Sequence, residues 1–230
     1  MNIWTEFAKS YDEVIPNLFC YKTMTGRALE LLGPCRRILD AGCGTGLLSK
    51  PLASGGHDVV SFDNNPHMLA NALNLRSQHQ GPNWEVFEWD VEKDPPVEGS
   101  FDGILMNNVL FYVRDPDAVF SWVTKRLAVG GRLILTGPWQ RPDLALVMRS
   151  SIEEWESHGL WDEELRTSFA RFSEVSRKLV TQADEMQTFF RAHELVERLR
   201  EEFPLKVLWS SETDYFGQNY FVAVQRGLDL

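Results

Sequence analysis

Cysteine is scarce in this sequence of 230 residues. Cys20, Cys35 and Cys43 are the only three, and none stands in a CxxC pair or beside a histidine at zinc-ligand spacing. That scarcity excludes a disulfide framework and offers no metal-ligand set, while an odd, scattered number suits reduced thiols. Positive charge is also in short supply. Lys and Arg number 23 against 33 Asp and Glu, a formal charge of −10, and the pairs Arg36-Arg37 and Lys125-Arg126 fall at expected element ends rather than in a patch. A partner held through phosphates needs a basic footprint, so a small-molecule partner is expected and nucleic acid is not. No apolar run is long enough to cross a bilayer. The opening Met1-Asn2-Ile3-Trp4-Thr5-Glu6 lacks the basic start and apolar core of a signal peptide. The expectation is a cytoplasmic protein with no membrane contact, acting as a monomer or homodimer.

What is present is an ordinary globular composition, 43% apolar and 24% charged, with no repeat and no low-complexity linker. Trp4, Phe7, Tyr11, Phe19 and Tyr21 mark a helical start over residues 1–32, closed by Gly33-Pro34. Short apolar runs then alternate with helical stretches, the pattern of a mostly parallel sheet covered on both faces. Strands are expected at 36–39, 58–62, 84–89, 101–107 and 132–136. Between them fall helices at 47–54, from an Asn65 cap with Pro66 to about Gln80, and from Asp115-Pro116 to Leu127. Residues 139–182 carry Trp139, Trp155, Trp161, Phe169 and Phe172 on helical sequence and read as a cap inserted between strands five and six. A last helix, about 184–202, leads to strands at 205–211 and 220–225, an antiparallel pair across the 214–219 loop. One α/β domain results: seven strands in a mixed sheet, the last antiparallel, with an N-terminal helical lid and a helical cap.

Ile38-Leu39-Asp40-Ala41-Gly42-Cys43-Gly44-Thr45-Gly46 leaves a strand and enters a helix. Glycines there let the backbone turn sharply and approach a ligand, at the strand end where open parallel sheets bind ligands. Dinucleotide enzymes use GxGxxG facing a pyrophosphate. Here the spacing is GxGxG, with an acid two residues ahead that would repel a pyrophosphate and suits an ammonium group.

This loop resembles motif I of the class I S-adenosylmethionine-dependent methyltransferases, whose fold is a Rossmann-like seven-stranded mixed sheet. The resemblance covers roughly residues 36–137 and, more weakly, the last strand pair. It implies that Asp40, Ala41, Gly42, Gly44 and Gly46 form the cofactor loop. It also implies that Asp63, closing strand two, holds both ribose hydroxyls, with Asn64 and Met68 beside it. Asp90 would take the adenine amino group and the Val91 N–H a ring nitrogen. Phe101-Asp102 matches the family's entry to strand four. Asn107-Asn108-Val109-Leu110 matches its exit, which borders the methyl donor and the substrate, with Asn107 on the cofactor and Asn108 at the reacting centre. Tyr11, in Ser10-Tyr11-Asp12, resembles the tyrosine that folds over the cofactor in many small-molecule members.

Methyl transfer from a sulfonium is an in-line displacement that needs alignment and exclusion of water more than a strong base. No His-Asp dyad stands in a recognisable motif, and His158, between Trp155 and Trp161, is the histidine put forward as a base. His57, His67, His79 and His193 fall in turns or on polar helix positions. Trp139, Trp155, Trp161 and Phe172 suit either core or pocket, and Tyr215 and Phe216 are candidates for the rim. The function implied is transfer of a methyl group to an O, N or C nucleophile of a small metabolite. Two alternatives stay open: an enzyme closing the cofactor's own aminobutyrate arm to azetidine-2-carboxylate with release of methylthioadenosine, and a cofactor-binding subunit without turnover.

Overall fold

Alternation along the apolar runs decides how they are buried. Ile38, Val59, Leu105 and Ile134 pack on one face of a sheet, and their neighbours Leu39, Val60, Ile104 and Leu133 on the other. The computed structural model describes residues 3–181 and 188–228. Its strands are β1 (Arg37–Ala41), β2 (Asp58–Asp63), β3 (Trp84–Glu88), β4 (Phe101–Asn107), β5 (Leu127–Pro138), β6 (Leu205–Thr213) and β7 (Asn219–Arg226). They form one sheet in the order β3-β2-β1-β4-β5-β7-β6, with β7 antiparallel to both its neighbours and the remaining pairings parallel. Registers pair Asp40 with Ser61 and Leu105, Asp63 with Glu88, and Asn107 with Thr136. The carboxyl ends of β1 to β4 therefore open along one edge.

The helices are α1 (Ile3–Val14), α2 (Phe19–Leu32), α3 (Ser49–Ser54), α4 (Pro66–Gln78), α5 (Pro116–Arg126), α6 (Leu144–Ser157), α7 (Glu163–Thr181) and α8 (Ala192–Glu202). α5 and α8 cover one face through Trp122, Leu195 and Leu199. α2, α3, α6 and α7 cover the other through Met24, Leu32, Leu52, Trp155 and Phe169. Two expected caps are made as drawn: Asn65 accepts from the His67 and Met68 N–H groups, and Asp115 from Ala118 N–H. Among the described residues, no helix is long and apolar enough to cross a membrane.

Two boundaries differ from expectation. β5 begins at Leu127, not Arg132, because the pairing with β4 slips between Phe101 and Gly103 and an extra stretch with Gly130 at φ 80° is taken up as a bulge. The helix expected from 184 begins at Ala192; residues 184–187 lie outside the described residues. The Ala192 N–H donates to Glu212 Oε1 at 2.8 Å and the Arg191 N–H to Glu194 Oε2 at 2.7 Å, which fixes the start there. Residue 182, the expected end of the cap, also lies outside the described residues.

Candidate active site

The glycine loop is held by β2. The Gly42 and Cys43 N–H groups donate to Phe62 O at 2.8 and 2.9 Å, and Gly44 N–H donates to Asp63 Oδ2 at 2.8 Å. Asp63 Oδ1 accepts from Asn65 N–H at 2.8 Å, so one carboxylate ties the loop to the start of α4. Gly42 sits at φ 77°, and a Cβ there would lie 2.5 Å from Val109 Cγ2. Only glycine satisfies both conditions. Asp40 is 1% exposed and accepts from Ser49 Oγ at 2.5 Å.

A cavity of about 840 Å³ opens over these strand ends. Asp40, Gly42 and Gly44 line it from the loop. Asp63, Asn64 and Met68 line it from β2 and α4, and Asp90 and Val91 from beyond β3. Asn107 and Asn108 reach it from β4, and Tyr11 from α1. Residues as far apart in sequence as Tyr11 and Asn108 thus meet in one space, at the strand ends where open α/β sheets bind ligands. Asp90 Oδ1 accepts from Glu92 N–H at 3.0 Å, and Trp122 Nε1 donates to Val91 O at 2.8 Å, fixing that turn. Asn107 Oδ1 accepts from Thr136 Oγ1 at 2.7 Å.

Three expected site residues lie elsewhere. The Ala41 side chain is fully buried in the core, because alternation along β1 turns it away from the opening. Gly46, at φ 83°, faces Ala72 at 3.3 Å and Trp84 at 3.4 Å; it lets the loop pack on α4 and touches no part of the cavity. His158 is exposed at the C-terminus of α6, with Nδ1 2.8 Å from Glu154 O and its ring 4.5 Å from Phe19. It is a helix-end residue, far from any base role. No described residue of α6 or α7 lines the cavity, and Trp139 does not either. Trp155, Trp161 and Phe172 pack instead against the N-terminal helices. Asp102 also proves structural, accepting from the Arg36 and Arg37 N–H groups at 3.1 and 3.0 Å.

Several lining residues went unread in the sequence. Trp89 and Glu92 flank Asp90, and Phe111 and Tyr112 follow the Asn107 to Leu110 run, so proximity to a motif was the available signal. Tyr21 and Thr45 carried no signal of their own. Burial pushes the Tyr11 phenol up, as do the nearby Asp12, Tyr112, Asp63 and Asp40, which keeps it neutral. Burial also raises Asp63, against the N–H groups of Asn65, Gly44 and Asn64 that lower it.

Comparison with known proteins gives this geometry a family. Residues 38–131 match a family model described as a methyltransferase domain. Those residues, less than half of the chain, are similar to a methyltransferase domain. Over 110 residues the chain is 37% identical to a ubiquinone biosynthesis O-methyltransferase of Xanthomonas euvesicatoria, a match covering 47% of this chain and 44% of that protein. Over another 110 it is 50% identical to an 18S rRNA (guanine-N(7))-methyltransferase of Bos taurus, covering 45% and 37%. The match thus spans less than half the length of either relative. In structure, the chain resembles magnesium protoporphyrin IX methyltransferase of Synechocystis PCC 6803, solved with bound S-adenosylhomocysteine, at a TM-score of 0.60 and 16% identity over 90% of this chain and 84% of that one. The chain therefore has the Rossmann-like, seven-stranded class I fold, and its glycine loop and Asp63 lie inside the matched residues.

Proposed function

We propose that this chain binds S-adenosylmethionine across the ends of β3, β2 and β1 and transfers its methyl group to an O, N or C nucleophile of a small, largely apolar metabolite. The observation that carries this reading is one cavity that collects Asp40, Asp63 and Asp90 from the ends of three neighbouring strands. The donor chemistry fits. Each Asp63 oxygen holds one backbone N–H and keeps a lone pair for one of two vicinal hydroxyls. A Cβ at Gly44 would meet only Met68 Cε, at 3.5 Å, so a longer side chain there would intrude on the ligand.

When bound, S-adenosylmethionine supplies a methyl carbon already activated by a sulfonium, with a neutral thioether as leaving group. Asp90 takes the adenine amino group, Asp63 the ribose and Asp40 the ammonium. Tyr11 closes over the ligand and, with Trp4 and Phe7 of the same helix, keeps water out. A cavity near the upper end of the roughly 300–1,000 Å³ typical of ligand sites has room for a second, small molecule. The charge of −10 favours a metabolite over RNA as acceptor. Three free thiols suit a cytoplasmic enzyme, working as a monomer or homodimer.

The test is incubation with methyl-labelled cofactor and a panel of small acceptors. Label on an acceptor together with S-adenosylhomocysteine is the expected result. Methylthioadenosine from cofactor alone, or binding with no turnover on any acceptor, would replace this reading.

The Asp40 role has its own test. Burial and the neighbouring Asp63 push its carboxyl up to about 6, with the Ser49 hydroxyl opposing. An acid whose pKa is higher folded than unfolded adds stability as pH falls through the folded value, and its ionisation above that value costs stability. A cationic partner favours the ionised form. Affinity for S-adenosylhomocysteine, whose amino group stays protonated over this range, should therefore rise from about pH 5 to about pH 7. In Asp40→Asn the affinity should be lower and flatter with pH. Equal pH slopes in the two proteins by calorimetry would remove Asp40 from contact with the ammonium.

A further inference from the structure

Among the described residues, three that are not glycine hold a left-handed backbone: Asn108 at φ 58°, Tyr215 at φ 49° and Phe216 at φ 58°. Side chains disfavour this geometry, which persists where the surroundings over-determine it. Here they do. Arg27 of α2 donates from Nη1 to both Asp214 oxygens at 3.0 Å, and Ser211 Oγ donates to Asp214 Oδ2 at 3.1 Å. Trp139 Nε1 donates to Gly217 O at 2.9 Å, and Asp143 N–H to Gln218 Oε1 at 2.5 Å. Asn219 Nδ2 donates to Asn108 Oδ1 at 2.9 Å, joining the strained turn between β6 and β7 to the strained residue after β4.

This frame presents Tyr215 to the cavity, where Tyr11 and Tyr21 also stand. Tyr21 is 6% exposed, yet none of the three hydroxyls has a hydrogen-bond partner among the described residues. Burial raises all three phenols, Tyr11 raises the other two and Tyr21 raises Tyr215, so they stay neutral O–H donors. Asn108 Nδ2 is a further donor without a protein partner there. Position along the sheet separates Asn108 and Tyr215 from the acids, whereas Tyr11 and Tyr21 stand near Asp40. Asp90, Asp63 and Asp40 end β3, β2 and β1, while Asn108 and Tyr215 stand beyond them, after β4 and beside β7.

We propose that this end of the cavity is the methyl-acceptor subsite, that Tyr215 contacts the acceptor, and that the subsite takes an uncharged planar ring bearing hydroxyl or carbonyl oxygens. It rests on the cofactor lying as read above. The donors are O–H and N–H groups without formal charge, Phe7 and Phe111 supply apolar wall, and Asp12 beside Tyr11 repels an anion.

The protein is first saturated with S-adenosylhomocysteine and then titrated with catechol or, separately, benzoate, following tryptophan fluorescence. Catechol should bind beside the saturating ligand and benzoate should not. Tyr215→Phe should weaken catechol about fivefold, in line with the loss of one hydrogen bond. Tyr215→Asn, a residue that tolerates the left-handed backbone, should weaken it about tenfold or more. Both variants should keep wild-type affinity for S-adenosylhomocysteine and a cooperative melt. Catechol affinity unchanged in both variants, no catechol binding to the loaded wild type, or benzoate binding as well as catechol would each overturn the subsite. Failure of the wild type to bind S-adenosylhomocysteine would instead bring down the cofactor reading, and the subsite with it.

Discussion

Asp63→Ala should lose about 3 kcal/mol of affinity for S-adenosylhomocysteine, roughly a hundredfold, because it removes charge-assisted hydrogen bonds on two sides at once. On the protein side the carboxylate fixes Gly44 N–H and Asn65 N–H at 2.8 Å each, so the loop and the start of α4 lose their shared anchor. On the ligand side it is the residue proposed to accept from two vicinal hydroxyls. Fold stability should change much less. Burial already penalises the ionised carboxyl, so its removal relieves a cost as it forfeits two bonds. Asp63→Asn separates the contributions, since an amide keeps one acceptor and turns a donor toward the N–H or hydroxyl it should receive. A loss of about tenfold is expected there. Calorimetry on the three proteins decides, and an Asp63→Ala affinity within twofold of wild type would falsify the ribose assignment.

What could be read from the residues alone was what depends on local chemistry. The strands followed from short apolar runs, as at Ile38-Leu39 and Val59-Val60, and the α4 and α5 starts from Asn65-Pro66 and Asp115-Pro116. The glycine loop was legible because a positive φ at Gly42 and Gly44 restricts the residue type directly. Ala41 and Gly46 were overread for the same reason: a motif names a stretch, whereas the pleat of β1 and the packing of Ala72 decide which members face the ligand. His158 was drawn in by neighbouring tryptophans, yet a helix C-terminus satisfied it locally. The tertiary couplings were out of reach. Arg27 meets Asp214 across 187 residues, and nothing near Tyr215 in sequence announces that two non-glycine residues will hold a left-handed turn. Such pairs exist only once the sheet order has placed β7 beside β5 and α2 behind both.

The cap is expected to brace α1, and Trp155→Ala is the substitution that should expose it. Trp155 is 1% exposed, stacks on Trp161 with ring centroids 5.4 Å apart, meets Phe169 edge-on at 5.1 Å, and donates from Nε1 to Asn17 O at 3.0 Å. That last bond reaches the short 3-10 turn between α1 and α2, while Phe172 stacks on Phe7 and Arg171 pairs with Glu13. α6 and α7 therefore grip the segment that carries Phe7 and Tyr11 to the cavity. Truncating a buried tryptophan leaves a hole its neighbours fill only in part, at a cost of about 3–5 kcal/mol. For a chain of this size, where each kcal/mol moves the midpoint by roughly 2–4 °C, the melting temperature should fall by roughly 10 °C. Trp155→Phe keeps most of the volume and strands the Asn17 carbonyl, for a smaller cost of about 1–3 kcal/mol. Because the acids proposed to hold the ligand sit on strand ends away from the cap, affinity for S-adenosylhomocysteine should drop far less in Trp155→Ala than in Asp63→Ala when measured well below the new midpoint. A melting temperature unchanged in Trp155→Ala would mean that the cap does not brace α1. Loss of the ligand as complete as in Asp63→Ala would mean that the cap acts on the ligand directly.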